Sequence, residues 1–289
     1  GGEGRAMPGG GTGELDPHLE SSWRSLRSRR VSFFSPMEKI SVAIITRNEE
    51  GNIRDCLESV TWADDVVVVD NGSTDRTLEI CREYGARVFS EEWKGYAGQK
   101  NSAIEKTRHE WVLSLDADER VTPELRREME AAVAESPPAD GYWIPRKNYF
   151  LGRWVRRCGW YPDLNLRLFR KSRGRFGDRA VHERVEVEGK SLTLNQPLIH
   201  VTYRTIADFL QRMDRYSALA AEEMRREGKP FRRRDLLLRP PFTFFQMYFL
   251  RAGFLEGTDG LALSALYSFY TFVKYAKLKE MGKREKPGP

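Results

Sequence analysis

Four consecutive valines, Val66 to Val69, followed at once by Asp70, constrain this chain more than any other feature of it. A short β-branched run with no polar alternation is the mark of a strand buried on both faces, as in a parallel sheet covered by helices. The surroundings repeat the theme. Ser41 to Ile45 is a second short apolar run, after which Ile53, Cys56, Leu57 and Val60 recur at the spacing of one helix face. A helix from Asp75 to Tyr84, a strand from Ala86 to Phe89, a helix from Gly98 to Lys106 and a strand from Trp111 to Leu115 continue the alternation. Thr122 and Pro123 then supply an N-cap and a first-turn proline for a helix that ends before Pro137 and Pro138. Strand and helix in turn imply an α/β domain with a Rossmann-like, mostly parallel sheet, flanked by helices, with ligands at the carboxyl ends of the strands.

Beyond Pro138 the texture changes to shorter strands, Tyr142 to Pro145 and Leu164 to Phe169, and from about Thr205 it becomes helical. The 289 residues therefore divide into a polar, unperiodic tail over 1–36, expected to be disordered, an α/β catalytic domain over 37–204, and a helical appendage over 205–289. Met37, just before the first apolar strand, is the expected natural start. Cys56, Cys81 and Cys158 have neither metal-ligand spacing nor an even count and read as free thiols. Leu261 to Val273, 13 residues, is too short to span a bilayer, and the N-terminal segment lacks the apolar core of a signal peptide, so a cytoplasmic protein is expected.

Charge is unevenly placed. From His200 onward there are 17 Lys and Arg against 10 Asp and Glu, while the rest of the chain is near neutral. No helix-turn-helix or zinc-finger pattern accompanies this excess, which argues against nucleic acid. Arg232, Arg233, Arg234 and Arg239 precede the apolar block Phe242 to Leu250, a combination that suits either peripheral contact with an anionic membrane or a helix packed on the catalytic domain with a solvated flank. Gly257 to Gly260 is expected to break the helical region.

The candidate chemistry sits at strand ends. Asp116 and Asp118 follow the strand from Trp111, and in extended chain residues two apart face the same side. Two hard carboxylates there suit Mg²⁺ or Mn²⁺ bridging a diphosphate. Asp70 ends the valine strand, where it can accept from a nucleobase imide, and Gly72 lets the chain pass close over a ligand.

Together the segments Ile44 to Glu50, Asp70 to Asp75, Gly98 to Asn101 and Asp116 to Glu119 resemble inverting glycosyltransferase family 2 in order and spacing. The resemblance covers about Lys39 to His200 and implies a GT-A fold and a nucleotide-sugar donor. It implies that Thr46 and Glu49 line the nucleoside pocket, Asp70 faces the base, Lys100 approaches the diphosphate, and Asp116 and Asp118 meet ribose and metal. Arg47 stands where the family more often has Tyr, and either contacts phosphate or is solvated.

Inverting transfer needs one base to take the proton of the acceptor hydroxyl. Val181 to Arg184 offers Glu183, with His182 orienting it or serving instead; this pair resembles the His-Glu element of the lipopolysaccharide-core β-glucosyltransferase branch. Asp163 is the rival, in a loop where Trp160 and Tyr161 are candidates to stack on an acceptor sugar. The expectation is a hexosyltransferase, using UDP-glucose and a lipopolysaccharide inner-core or related glycolipid acceptor at the inner membrane face. A polyprenyl phosphate or peptide acceptor, or a non-catalytic nucleotide-sugar-binding protein, is the alternative.

Overall fold

The structure, a computed structural model, describes residues 38–134, 138–177 and 184–284. The tail over 1–36, Met37, His182 and Glu183 lie outside the described residues. The described chain opens with strand β1 (Ile40–Thr46), helix α1 (Glu50–Glu58), β2 (Asp65–Asp70), α2 (Thr77–Glu83), β3 (Arg87–Ser90), α3 (Gly95–Glu105) and β4 (Trp111–Asp116). Strands β3, β2, β1 and β4 lie side by side and all run parallel. Val67, Val68 and Val69 are wholly buried, as the valine run requires.

A short strand β5 (Glu119–Arg120) and helix α4 (Pro123–Ala134) follow; Leu125 N donates to Thr122 Oγ1 at 3.1 Å, the N-cap bond. Next come β6 (Gly141–Phe150), β7 (Arg153–Trp154), β8 (Asp163–Arg170), β9 (Gly174–Phe176), β10 (Val185–Val187), β11 (Ser191–Thr193) and β12 (Leu198–Tyr203). The large sheet reads β3-β2-β1-β4-β8-β6-β12-β5, with β8 antiparallel to both neighbours. Although β5 follows β4 by only two residues, it pairs at the far end of this order, with β12. The sheet therefore curls until its far edge returns to the carboxyl end of β4, where Val201 N donates to Asp118 O at 3.0 Å.

Helices α5 (Ile206–Arg226), α6 (Arg233–Phe245) and α7 (Gly257–Arg284) complete the chain, with a π-turn at Gln246–Leu250 and a 3-10 turn at Gly253–Glu256 forming an elbow before α7. The break expected over Gly257 to Gly260 falls at Gly257 itself, whose φ of +64° ends the elbow; the following residues are helical. Phe209, Met213, Met247 and Leu263 from this region share a core with Phe150, Val155, Cys158 and Trp160. All three cysteines are free and buried.

One buried carboxylate ties the parallel strands at their other end. Asp65 accepts from Ser41 Oγ at 2.9 Å, Arg87 Nε at 2.8 Å and Arg108 N at 2.8 Å. Burial works to raise its pKa, but these donors and the Arg87 charge lower it below the usual carboxylate value. A depressed folded-state pKa stabilises the fold above the unfolded value and stops doing so as pH falls through the folded one. Asp65→Asn is therefore expected to cost about 2 kcal/mol at neutral pH, with the gap to wild type narrowing below about pH 4. Denaturant midpoints of both proteins at neutral and acid pH check this; a gap independent of pH would contradict it.

Candidate active site

The loops after β1 and β2 are stitched into a cradle. Asn48 N donates to Ser73 Oγ at 2.8 Å, Glu49 N to Thr77 Oγ1 at 2.8 Å, and Glu50 N to Asp75 Oδ2 at 3.2 Å. In return Thr74 N donates to Asn48 Oδ1 at 2.8 Å and Arg76 N to Glu50 Oε2 at 3.1 Å. Asp70 Oδ2 accepts from the backbone N–H groups of Gly72 and Ser73, both at 2.9 Å, and Oδ1 accepts from Ser73 Oγ. The structure thus gives Asp70 the work of building its own turn, which Gly72 closes at φ +84°. Thr46 Oγ1, at the end of β1, is buried with no hydrogen-bond partner, an arrangement that costs free energy unless a ligand completes it. Arg47 is exposed, and Glu49 has its pKa raised by burial, opposed by the bond from Asn52. A cavity of about 460 Å³ beside the cradle is lined by Asn71, Gly72, Ser90, Glu91, Glu92 and Trp93.

From the end of β4 a chain of charge-assisted bonds crosses the curled sheet. Asp116 Oδ1 lies 3.0 Å from Lys100 Nζ, and Asp116 Oδ2 accepts from Arg167. Arg167 also donates to Glu119 Oε1 at 2.6 Å, and Arg146 to the same oxygen at 3.0 Å. Arg146 reaches on to Asp163 Oδ2, through Nε at 2.9 Å and a terminal nitrogen at 2.6 Å. Asn148 Nδ2 donates to Asp163 Oδ2 at 3.1 Å and to Trp160 O at 2.9 Å. These bonds fix the amide so that its Oδ1 faces His200 Nδ1 at 2.6 Å. That nitrogen is then the donor, and neutral His200 keeps its lone pair on Nε2. Nε2 lies 3.5 Å from Asp118 Oδ1, while Asp118 Oδ2 accepts from Arg212 of α5 at 3.1 Å.

The aspartates at 116 and 118 accordingly have different partners. Residues 117 and 118 form a turn before β5, so the same-side relation that extended chain gives residues two apart does not apply to them. Burial raises the pKa of both. Arg167 and Lys100 nonetheless hold Asp116 well below the ordinary range, and Arg212, together with His200 in its protonated form, brings Asp118 down to about 2. Both are anions at neutral pH.

Among the described residues no group of three or more His, Cys, Asp or Glu is arranged to hold a metal ion. Asp118 and His200 nevertheless fit one: a carboxylate and an imidazole lone pair face each other across a short gap, an arrangement that a cation between them stabilises, and Asn148 fixes the tautomer from the far side. Asp116, bonded to two cations, is less free to serve.

Of the acceptor candidates, Trp160 is corrected to core. The residue is 8% exposed, its ring packed edge-on against Phe150 and Tyr267, so it has no face to offer a sugar. Tyr161 is half-buried against Trp154. Sequence reasoning missed Arg146, Asn148, Arg167, His200 and Arg212. Their partners lie far away in the chain, 27 residues for Arg146 with Glu119 and 94 for Arg212 with Asp118, and no spacing rule reports such pairs.

A curled, largely parallel sheet with a cradle after β1 and β2 and carboxylates at the end of β4 is the GT-A fold of glycosyltransferases. The chain belongs to glycosyl transferase family 2, whose model matches residues 41–186. It is 34% identical over 258 residues to an uncharacterized glycosyltransferase of Rickettsia typhi, covering 85% of this chain and 88% of the relative. It is 32% identical to the lipopolysaccharide core biosynthesis glycosyltransferase LpsC of Rhizobium meliloti, covering 83% of this chain and 92% of that one. Among solved structures, S. aureus TarS 1-349 in complex with UDP is similar with a TM-score of 0.44 and 19% identity, covering 86% of this chain and 92% of that one.

Proposed function

We propose that the protein is an inverting hexosyltransferase that moves glucose from UDP-glucose onto the inner core of a lipopolysaccharide precursor at the cytoplasmic face of the membrane. The single observation that carries the transfer chemistry is the pairing of Asp118 and His200 Nε2 at the end of β4, beside a cradle that holds an unpartnered Thr46 hydroxyl. The choice of acceptor is supported by the likeness to LpsC along most of both chains.

In this reading Thr46, Glu49 and Asp70 surround the nucleoside, with the cavity beside Gly72 receiving its flat ring, and Asp116 takes the ribose. Lys100 and Arg47 face the diphosphate. Asp118 and His200 would hold Mg²⁺ or Mn²⁺, which when bound offsets the charge that builds on the departing diphosphate. The acceptor hydroxyl oxygen forms its bond to the anomeric carbon from the side opposite the diphosphate, the bond from that carbon to phosphate oxygen breaks, and UDP leaves. The hydroxyl proton goes to Glu183, with His182 orienting it. The strand that leads into that segment supports this choice: Asn101 bonds both the N–H and the carbonyl of Phe176, whose ring lies 5.1 Å from Lys100 Nζ.

The test is transfer by the purified protein from UDP-glucose to lipopolysaccharide of a core-truncated strain, read by mass spectrometry. A gain of one hexose is expected. Transfer to a polyprenyl phosphate or a peptide alone would displace the acceptor assignment, and donor binding without transfer to any acceptor would displace the enzymatic one.

A further inference from the structure

The C-terminal helices carry an apolar surface that the transfer chemistry does not use. Eleven of the 17 large apolar side chains exposed among the described residues fall between Leu237 and Phe272. On α6 and its π-turn, Leu238, Phe242, Phe245 and Phe249 recur along one helix face at 66%, 58%, 48% and 51% exposure. The elbow adds Leu250, Phe254 and Leu255, at 65%, 49% and 59%, and α7 exposes Leu261, Phe269 and Phe272. A single chain in water rarely leaves so much apolar surface together without a partner. No helix among the described residues is long and apolar enough to cross a membrane, so this surface has the character of one that lies in an interface.

Two observations identify the occupant. Exposed Arg232, Arg233 and Arg234 open α6, within the segment whose Lys and Arg outnumber Asp and Glu by seven, so the surface complements an anionic partner; a second copy would set two such positive flanks together. The elbow is also bonded to the chain leading into the catalytic network. Arg156 N and Arg157 N both donate to buried Glu256 Oε1 at 3.0 Å, and Cys158 N to Arg251 O at 3.0 Å, a few residues before Asp163. The same elbow bears Phe249, Leu250, Phe254 and Leu255. We propose that α6, the elbow and α7 seat in the headgroup region of an anionic bilayer, holding the 156–163 loop against the membrane surface where a lipid-anchored sugar presents its hydroxyls. This rests on the glycolipid-acceptor reading above.

The experiment is co-sedimentation of the full chain with vesicles of phosphatidylcholine alone or mixed with phosphatidylglycerol, alongside UDP release from UDP-glucose in solution. Wild type should bind the mixed vesicles, more weakly at high salt. Arg232→Gln, Arg233→Gln and Arg234→Gln together should weaken binding on the order of 100-fold, since each basic residue near an anionic surface contributes roughly a factor of five. Phe249→Ser, Leu250→Ser, Phe254→Ser and Leu255→Ser together should abolish insertion into a lipid monolayer, with UDP release unchanged from wild type in both variants. Failure of wild type to bind mixed vesicles, or binding by both variants equal to that of wild type, would overturn the proposal, as would a wild-type dimer in sedimentation velocity that the four serines dissolve. Because UDP release reports the donor site without lipid, failure to bind vesicles with that release intact would refute the docking surface and leave the transferase standing.

Discussion

Glu183→Gln is expected to lower turnover by about 10²- to 10⁴-fold while the affinity for UDP-glucose stays near that of wild type. The amide keeps the shape and one acceptor oxygen of the carboxylate but cannot take a proton, so binding and chemistry separate. The comparison with Asp163 sharpens the test. Both oxygens of Asp163 are engaged, Oδ2 by Arg146 and Asn148 and Oδ1 by Asn165 at 3.1 Å. Burial works to raise its pKa, but the Arg146 charge and these bonds bring it below the ordinary carboxylate value. Such a group is a poor base and a good clamp on Arg146. Asp163→Asn should therefore cost less in turnover than Glu183→Gln and more in acceptor affinity. A dead Asp163→Asn beside an active Glu183→Gln would exchange the two roles.

Asp118→Asn should reduce transfer by about 10³-fold or more and remove the dependence of donor affinity on Mg²⁺ or Mn²⁺. A neutral amide is a weak ligand for a hard cation, and the change leaves Arg212 facing a group that no longer balances its charge. The fold should persist, because the Asp118 side chain bonds the polar groups of His200 and Arg212 and contributes nothing to the apolar core. Calorimetric titration of UDP with and without Mn²⁺, together with the melting temperature, separates these effects. Near-normal turnover at saturating Mn²⁺ would contradict the assignment of Asp118 to the metal.

The part of this architecture legible in the sequence is the part built from local patterns. The valine run, the helical recurrence of Ile53, Cys56 and Leu57, and the Thr122 cap each report a structure made within a few residues, and each element appears at or near its expected bounds. The motifs at the ends of β1, β2 and β4 were legible for the same reason, since each sits where a strand stops. The curl of the sheet was not. It depends on β5 and β12 pairing across about eighty residues, and it is this return that brings His200 beside Asp118. Arg167 shows the limit of alternation: on β8 its neighbours Leu166 and Leu168 alternate with it as if it faced water, yet it is 4% exposed, because its face of the strand looks onto Asp116 and Glu119. Trp160 shows the opposite case, a ring beside a functional loop that belongs to the core formed with the C-terminal helices.

The central claim is that the sugar leaves UDP and joins the acceptor with inversion, and the anomeric configuration of the transferred hexose tests it most directly. UDP-glucose is α-linked, so attack from the face opposite the diphosphate yields a β-linked product, which proton coupling at the anomeric position in an NMR spectrum of the purified glycan identifies. A β-linked hexose, formed by wild type and not by Asp118→Asn, is expected; an α-linked hexose would contradict it.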